Sequence, residues 1–299
     1  MTATKGIGMA TERLETVAAA RPAPEVGPIT GLAANPWLLC LRGIVWREVL
    51  RFLQQRGRFF AALVRPLVWL FIFAAGFRSV LGVSYQPPYE TYILYEVYIA
   101  PGLCGMIMLF SGMQSSLSMV YDREMGSMRV LLVSPLPRSY LLLCKLFAGV
   151  LVACLQVYVF LAIAGLWDIQ VPWLGYLAVL PALLLAGLML GALGLLLSSI
   201  IRQLENFAGV MNFVIFPMFF ASSALYPLWR MQESSLALYR ISAFNPFSHA
   251  VELIRFALYV QVEPFSLAVT AGWTALFLAG ALFGYNPARG FVATTGKGE

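Results

Sequence analysis

The chain has 299 residues, 60% hydrophobic and 11% charged, with a formal net charge of +6 and a mean hydropathy of +0.79. A soluble core cannot hold that apolar content without large exposed patches, so the composition selects a membrane protein. Of the 20 basic residues, 17 are arginine, and they are spread along the chain, which argues against a nucleic-acid surface.

Residues 1–36 are rich in Ala, Pro, Thr and Gly, lack the apolar core of a signal peptide, and read as a flexible cytoplasmic tail. In WLLCLRGIVWREVLRFLQQRGR, Arg47, Arg51, Gln54 and Arg58 share one helical face, while Leu38, Leu41, Val45, Val49 and Phe52 share another. This is an amphipathic helix lying in the interface plane, whose arginines can hold lipid phosphates or a soluble partner.

Six apolar runs follow, near 60–82, 97–120, 140–164, 174–200, 207–227 and 265–285. Each suits a helix crossing about 30 Å of hydrocarbon at about 1.5 Å per residue. The expected fold is an all-α polytopic membrane protein with six transmembrane helices. With the amino terminus inside, 15 basic residues fall on the cytoplasmic side and four outside (Arg78, Arg230, Arg240, Arg255), with Arg65 set aside near a span end. That asymmetry places both termini in the cytoplasm of a multi-pass plasma (inner) membrane protein, the second terminus as a tail over 287–299.

Tyr85, Tyr89, Tyr92, Tyr95 and Tyr98 cluster at the outer start of the second run. They read as an aromatic belt at headgroup level or as a ring-lined mouth. Between the second and third runs, VYDREMGSMRVLLVSPLPRSYLLLCKLF puts Asp122, Arg123 and Glu124 side by side at the cytoplasmic edge. MGSMRVLLV can form a short helix along the membrane; Pro135 stops it, and Leu131, Leu132 and Val133 give it an apolar side that needs a cleft.

Residues 228–263 are too polar to span and too apolar for a free loop. Broken at Asn245-Pro246 into two short helical pieces, they fit a re-entrant hairpin in the outer leaflet. Glu252 and Arg255, spaced i, i+3, can pair there. Gly187 with Gly191 and Gly280 with Gly284 have helix-packing spacing, either within the chain or at a subunit seam.

Several chemistries lack their residues. A P-loop needs a Gly-rich turn ending in Lys and Ser or Thr, but the single Gly-Lys pair is Gly296-Lys297, followed by Gly298. His249 is the one histidine and reads as a hydrogen-bonded structural residue rather than a base. Cys40, Cys104, Cys144 and Cys154 form no metal or redox motif. Asp168 reads as solvated in an outer loop. No acidic residue falls in the middle of a run, which counts against a proton-coupled carrier. No catalytic residue, metal site or cofactor is expected on this chain.

Asp122-Arg123-Glu124, Gly126, Leu131, Leu132, Ser134-Pro135 and Lys145 together resemble the cytoplasmic signature of type-2 ABC exporter permeases. Tyr226-Pro227, Asn245-Pro246 and Arg255 resemble that family's outer segment. The resemblance covers residues 37–286, taken as one transmembrane domain. It implies two permeases, here a homodimer, working in the lipid bilayer with two separate ABC ATPase subunits that bind ATP and Mg. It implies that residues 122–135 couple to the ATPase, aided by the amphipathic helix with Arg47, Arg51 and Arg58. It also implies that the outer helices cap the path of an exported amphiphile, hydrophobic small molecule or lipid-linked glycan. A narrower resemblance, to the subgroup encoded beside quinoprotein alcohol dehydrogenases, names no cargo. The alternative is an ATP-independent carrier or channel.

Overall fold

The computed structural model describes residues 35–54, 56–77, 87–89, 93–124, 136–166, 169, 171–201 and 203–284. The described elements are helical. They are α1 Pro36–Gln54, α2 Arg56–Phe77, α3 Tyr95–Glu124, α4 Arg138–Gly165, α5 Trp173–Ile200, α6 Leu204–Phe220, α7 Leu228–Ser234, α8 Leu236–Phe244, α9 Pro246–Leu258 and α10 Pro264–Gly284. Residues 1–39 group as one unit, of which 35–39 are described, and Cys40–Glu299 as a second, compact one.

At the chain's first described turn, the Asn35 side chain accepts from the Trp37 N–H (3.3 Å) and Pro36 occupies the first helical position. Both are residue types that suit a helix start. On α1, Glu48 stands between Arg47 (3.2 Å) and Arg51 (3.5 Å), an exposed set of ion pairs. Such surface pairs contribute little to stability. The amphipathic helix ends at Gln54, and Arg58 belongs to α2 instead.

Four helices contain segments long and apolar enough to cross a membrane: Tyr95–Tyr121, Ser139–Gly165, Trp173–Ile200 and Pro264–Gly284. They match the second, third, fourth and sixth expected runs. The first run corresponds to α2, 22 residues with an apolar stretch over Leu63–Ile72. The fifth, expected over 207–227, becomes the 17-residue α6, which stops at Phe220; residues 221–227 turn back into the hairpin. The chain is an all-α polytopic membrane protein.

At the centre, α3 packs against α2, α4, α5, α6 and α9, and α5 packs against α3, α4, α6, α9 and α10. Helices α3, α5 and α10 start at the end that carries α7–α9, here the hairpin end, while α2, α4 and α6 run the other way. Small residues let α3 and α5 close up. A Cβ on Gly112 would meet the Gly191 backbone at 3.0 Å, and one on Gly194 would meet Ser116 Oγ at 2.5 Å. Gly187 and Gly191 face Val150 and Leu146 of α4, and Gly280 and Gly284 face Leu196 and Ser199 of α5. Both glycine pairs thus serve packing within the chain.

The hairpin is three helices rather than the two expected. Ser235 breaks the first piece by capping α8, its Oγ accepting from the Leu238 N–H (3.4 Å). A second correction concerns the tyrosines. Tyr89, Tyr95 and Tyr98 are 3%, 1% and 0% exposed, so they are neither a headgroup belt nor a mouth. Tyr85 and Tyr92 lie outside the described residues.

Candidate functional site: a buried arginine at the hairpin end

Helix α9 carries the site. Its cap, Asn245, works in two directions. Its Oδ1 accepts from the Phe247 N–H (3.0 Å), while its Nδ2 donates to Met218 O (2.8 Å) and Ala221 O (2.7 Å). The carbonyls left open where α6 ends are thereby satisfied. Pro246 follows at the first helical position, where its missing N–H costs nothing. One side chain thus fixes where the spanning helix stops and the hairpin helix starts.

Arg255, in the last turn of α9, is 0% exposed. Its Nη1 donates to Glu252 Oε1 and its Nη2 to Ser223 O (2.9 Å). The guanidinium lies 4.1 Å over the Tyr98 ring of α3. The Tyr98 hydroxyl donates to the same Ser223 carbonyl (2.9 Å), and the Tyr95 hydroxyl donates to Leu225 O (2.8 Å). Ser223 is also tied to Ser248 of α9, by its N–H to Oγ and its Oγ to the carbonyl, each 3.3 Å. The turn 221–227 would otherwise hold buried, unpaired backbone groups, which are costly away from water. Tyrosines from α3 and the arginine from α9 supply those partners.

Glycine lets the turn approach. A Cβ on Gly102 would meet Ala224 O at 2.5 Å and Ala224 Cα at 2.8 Å, and one on Gly105 would meet Val251 at 2.9 Å. On the other side, Gly175 at the start of α5 faces the Leu258 carbonyl. Beyond α9, Tyr259 and Tyr89 meet edge to face at 4.8 Å. Burial pushes the Tyr89 phenol well above its usual range, opposed by the Arg255 charge, and pushes that of Tyr259 up to about 12. Both rings therefore stay neutral at physiological pH, and the charge of the knot is carried by Glu252 and Arg255.

The knot has no nucleophile beside a base. His249 Nε2 lies 2.9 Å from Ala243 O, a structural contact. No group of three or more His, Cys, Asp or Glu side chains that could hold a metal occurs among the described residues. What the geometry supplies is a rigid attachment of the hairpin to the head of α3.

Asn245, Pro246, Glu252 and Arg255 are thus brought together, with Arg47 and Arg51 exposed on α1. Asp122, Arg123 and Glu124 form the last turn of α3. Gly126, Leu131, Leu132 and Pro135 lie outside the described residues, as do the side chains of residues 58 and 122–124. Lys145 is buried on α4, 6% exposed. Tyr98, Ser223 and Ser248 were not singled out for this role from the sequence. The i, i+3 spacing of Tyr95 and Tyr98 is the signal that placed both rings on one face of α3.

A helical polytopic membrane protein with its polar hairpin anchored at one end is a class with known members. The ABC-2 type transporter family profile matches residues 40–259. The chain belongs to that family. It is 30% identical over 193 residues to "Probable multidrug ABC transporter permease YbhR" of Escherichia coli (strain K12), covering 64% of this chain and 51% of the relative. The chain thus spans about half the length of that relative. It is 25% identical over 241 residues to "Putative transport permease ycf38" of Pyropia yezoensis, 79% of each chain. It is 32% identical over 83 residues to "Nodulation protein J" of Rhizobium leguminosarum bv. viciae, 28% of this chain and 31% of the relative.

Proposed function

We propose that this permease is the membrane-spanning half of an ATP-driven exporter, working as a homodimer with two copies of a separate ATPase in a plasma (inner) membrane. The observation that carries the reading is α3. It is one unbroken helix of 30 residues, about 45 Å long at about 1.5 Å per residue. At one end Tyr95 and Tyr98 hold the hairpin; at the other its last turn is Asp122-Arg123-Glu124. A rod held at its hairpin end passes on a displacement applied at the other. Movement of the ATPase against the stretch 122–135 reaches the hairpin, and the hairpin opens or closes the exit. The 15-to-four basic asymmetry puts the Asp122–Glu124 end in the cytoplasm and the hairpin outside. An exported cargo of amphiphilic or hydrophobic character fits the apolar helices, and a relative named as a multidrug permease supports that class.

The exposed stripe Val64, Val68, Phe71 and Ile72 on α2 continues onto Phe213, Phe216 and Phe220 of α6. The two helices meet where Trp69 packs edge-on to Phe220, 5.9 Å between ring centres. This joint face is the seam for the second permease. The reading is tested by co-purifying the permease with its ATPase. Exchanging the charges in Arg123→Glu with Glu124→Arg, or Gly126→Trp, leaves membrane insertion intact. Complex recovery and cargo-stimulated ATP hydrolysis fall at least about tenfold, equivalent to roughly 1.4 kcal/mol of docking energy. Unchanged recovery and hydrolysis in both variants refutes the docking site.

A further inference from the structure

Two buried polar groups of the knot have no protein partner. Arg255 Nε and the Tyr89 hydroxyl make no hydrogen bond among the described residues, although Arg255 is 0% and Tyr89 3% exposed. A buried donor left unpaired costs free energy, and more so on a charged group. Neither group can turn to find a partner. The Nε–H lies in the plane of a guanidinium already fixed by Glu252, Ser223 O and the Tyr98 face. The phenol oxygen sits at the tip of a ring packed on Tyr259. Ser242 Oγ and Thr270 Oγ1 are also buried without a partner, but they differ. Each is a helical hydroxyl that can rotate toward a carbonyl of its own preceding turn.

The two groups of the knot lie together. Tyr259 follows Arg255 by one turn at the end of α9, and the Tyr89 ring meets the Tyr259 ring at 4.8 Å. Tyr89 therefore lies along the side of α9 that carries the guanidinium. The Arg255 charge is also the first influence to oppose the burial that raises the Tyr89 phenol. The groups are close enough for one to feel the charge of the other, yet they share no direct bond.

Charge decides what fits between them. Glu252 balances the guanidinium, so the knot is neutral as it stands. A halide or a carboxylate would add an unpaired buried negative charge, and a metal ion would meet a fixed cation. A water molecule is neutral, accepts from the Nε–H and exchanges a bond with the phenol in either direction. It can enter past Glu252, whose side chain keeps 16% of its surface exposed.

We propose that a water molecule is held between Arg255 Nε and the Tyr89 hydroxyl as an integral part of the knot. It ties residues 87–89, which precede α3, to α9, alongside the bond from Gln261 Nε2 to Pro88 O (3.4 Å). One guanidinium then holds α9 through Glu252, the turn through Ser223, the head of α3 through Tyr98, and the segment before α3 through the water.

The first test is Tyr89→Phe in the full chain, unfolded by SDS in mixed micelles. The ring and its contact with Tyr259 stay, so only the hydroxyl is lost. The ratio of folded to unfolded chain is expected to fall about fivefold, the worth of one net hydrogen bond of about 1 kcal/mol. A hydroxyl that bonds nothing would give the opposite sign, because its removal relieves a buried unsatisfied group. An unchanged or raised ratio would overturn the proposal. A fall could also come from a direct bond to protein, and a cryo-EM map of the full chain in nanodiscs with a bound Fab separates the two. At a resolution that shows waters, a peak is expected about 2.7–3.2 Å from both atoms. No peak, or a protein atom bonded to either group in its place, would overturn the proposal. Exchanging chloride for bromide distinguishes water from an anion. Neither the peak height nor the unfolding midpoint is expected to change; a stronger peak, or a midpoint that climbs with halide, would overturn the water. Neither the ATPase nor a cargo enters any of these readings.

Discussion

The Glu252–Arg255 pair should behave asymmetrically when broken from its two sides. Arg255 is fully buried, whereas the Glu252 side chain keeps 16% of its surface exposed. Glu252→Gln leaves the guanidinium sealed under Tyr98 with no carboxylate beside it. Breaking a buried pair from that side costs roughly 3–5 kcal/mol. Arg255→Met fills similar volume and leaves a carboxylate that still reaches water. Its main loss is the charged hydrogen bond to Ser223 O, roughly 1.5–3 kcal/mol. That carbonyl keeps its bond from the Tyr98 hydroxyl, so no orphan is created. The double variant contains no unpaired charge, and its cost is again roughly 1.5–3 kcal/mol. The coupling is therefore the electrostatic part of the Glu252→Gln loss, roughly 3 kcal/mol. Unfolding by increasing SDS fraction in mixed micelles, followed by tryptophan fluorescence, gives the four free energies of the cycle. Salt should not close the gap, because a sealed charge is poorly screened. A coupling below about 0.5 kcal/mol, or Glu252→Gln milder than Arg255→Met, would show that the guanidinium is solvated and the reasoning wrong.

The same end of the molecule yields two further expectations. Gly102→Ala drives a Cβ into the Ala224 backbone, which cannot swing aside as a side chain could, so it should destabilise by roughly 1–3 kcal/mol; an unchanged unfolding midpoint in mixed micelles would contradict the close approach. Val260, the residue after the C-cap Tyr259 of α9, has φ of 58°, its N–H bonded to Ala257 O (3.1 Å) and the next N–H, of Gln261, bonded to Phe256 O (2.9 Å), a position that glycine usually occupies. Val260→Gly should therefore stabilise by about 1 kcal/mol, the left-handed penalty of about 1–2 kcal/mol less the chain entropy of glycine, and the same micelle titration measures it.

Spanning segments were legible because hydrocarbon imposes one length and one polarity. The segment at Ser139–Gly165 differs from its expected run by a residue or so at each end. Where the fold departs, tertiary partners decide. The fifth run was read through to residue 227 on its apolar content, yet α6 stops at Phe220 because the Asn245 amide, 24 residues ahead of Ala221, takes its last carbonyls. The tyrosines were read as surface groups because their acceptors lie 125 and 130 residues away in a turn that no local pattern couples to them. Ser235 was a visible cap in a segment judged by its apolar content. Arg65, read as lying near a span end, is the third residue of the apolar stretch Leu63–Ile72 of α2 and rests on the Phe110 ring of α3.

Arg255 and Arg65 show how one residue type meets two settings. Arg255 has a fixed carboxylate, a carbonyl and an aromatic face, all from this chain, so its charge is neutralised once, on folding. Its Nε is buried without a hydrogen-bond partner among the described residues, so the anchor rests on Nη1, Nη2 and the aromatic face. Arg65 is the contrast: it is exposed, near one end of the apolar stretch Leu63–Ile72 of α2, with its guanidinium over the Phe110 ring. Its charge can extend to the membrane edge along its aliphatic stem, whereas that of Arg255 must be met inside the bundle.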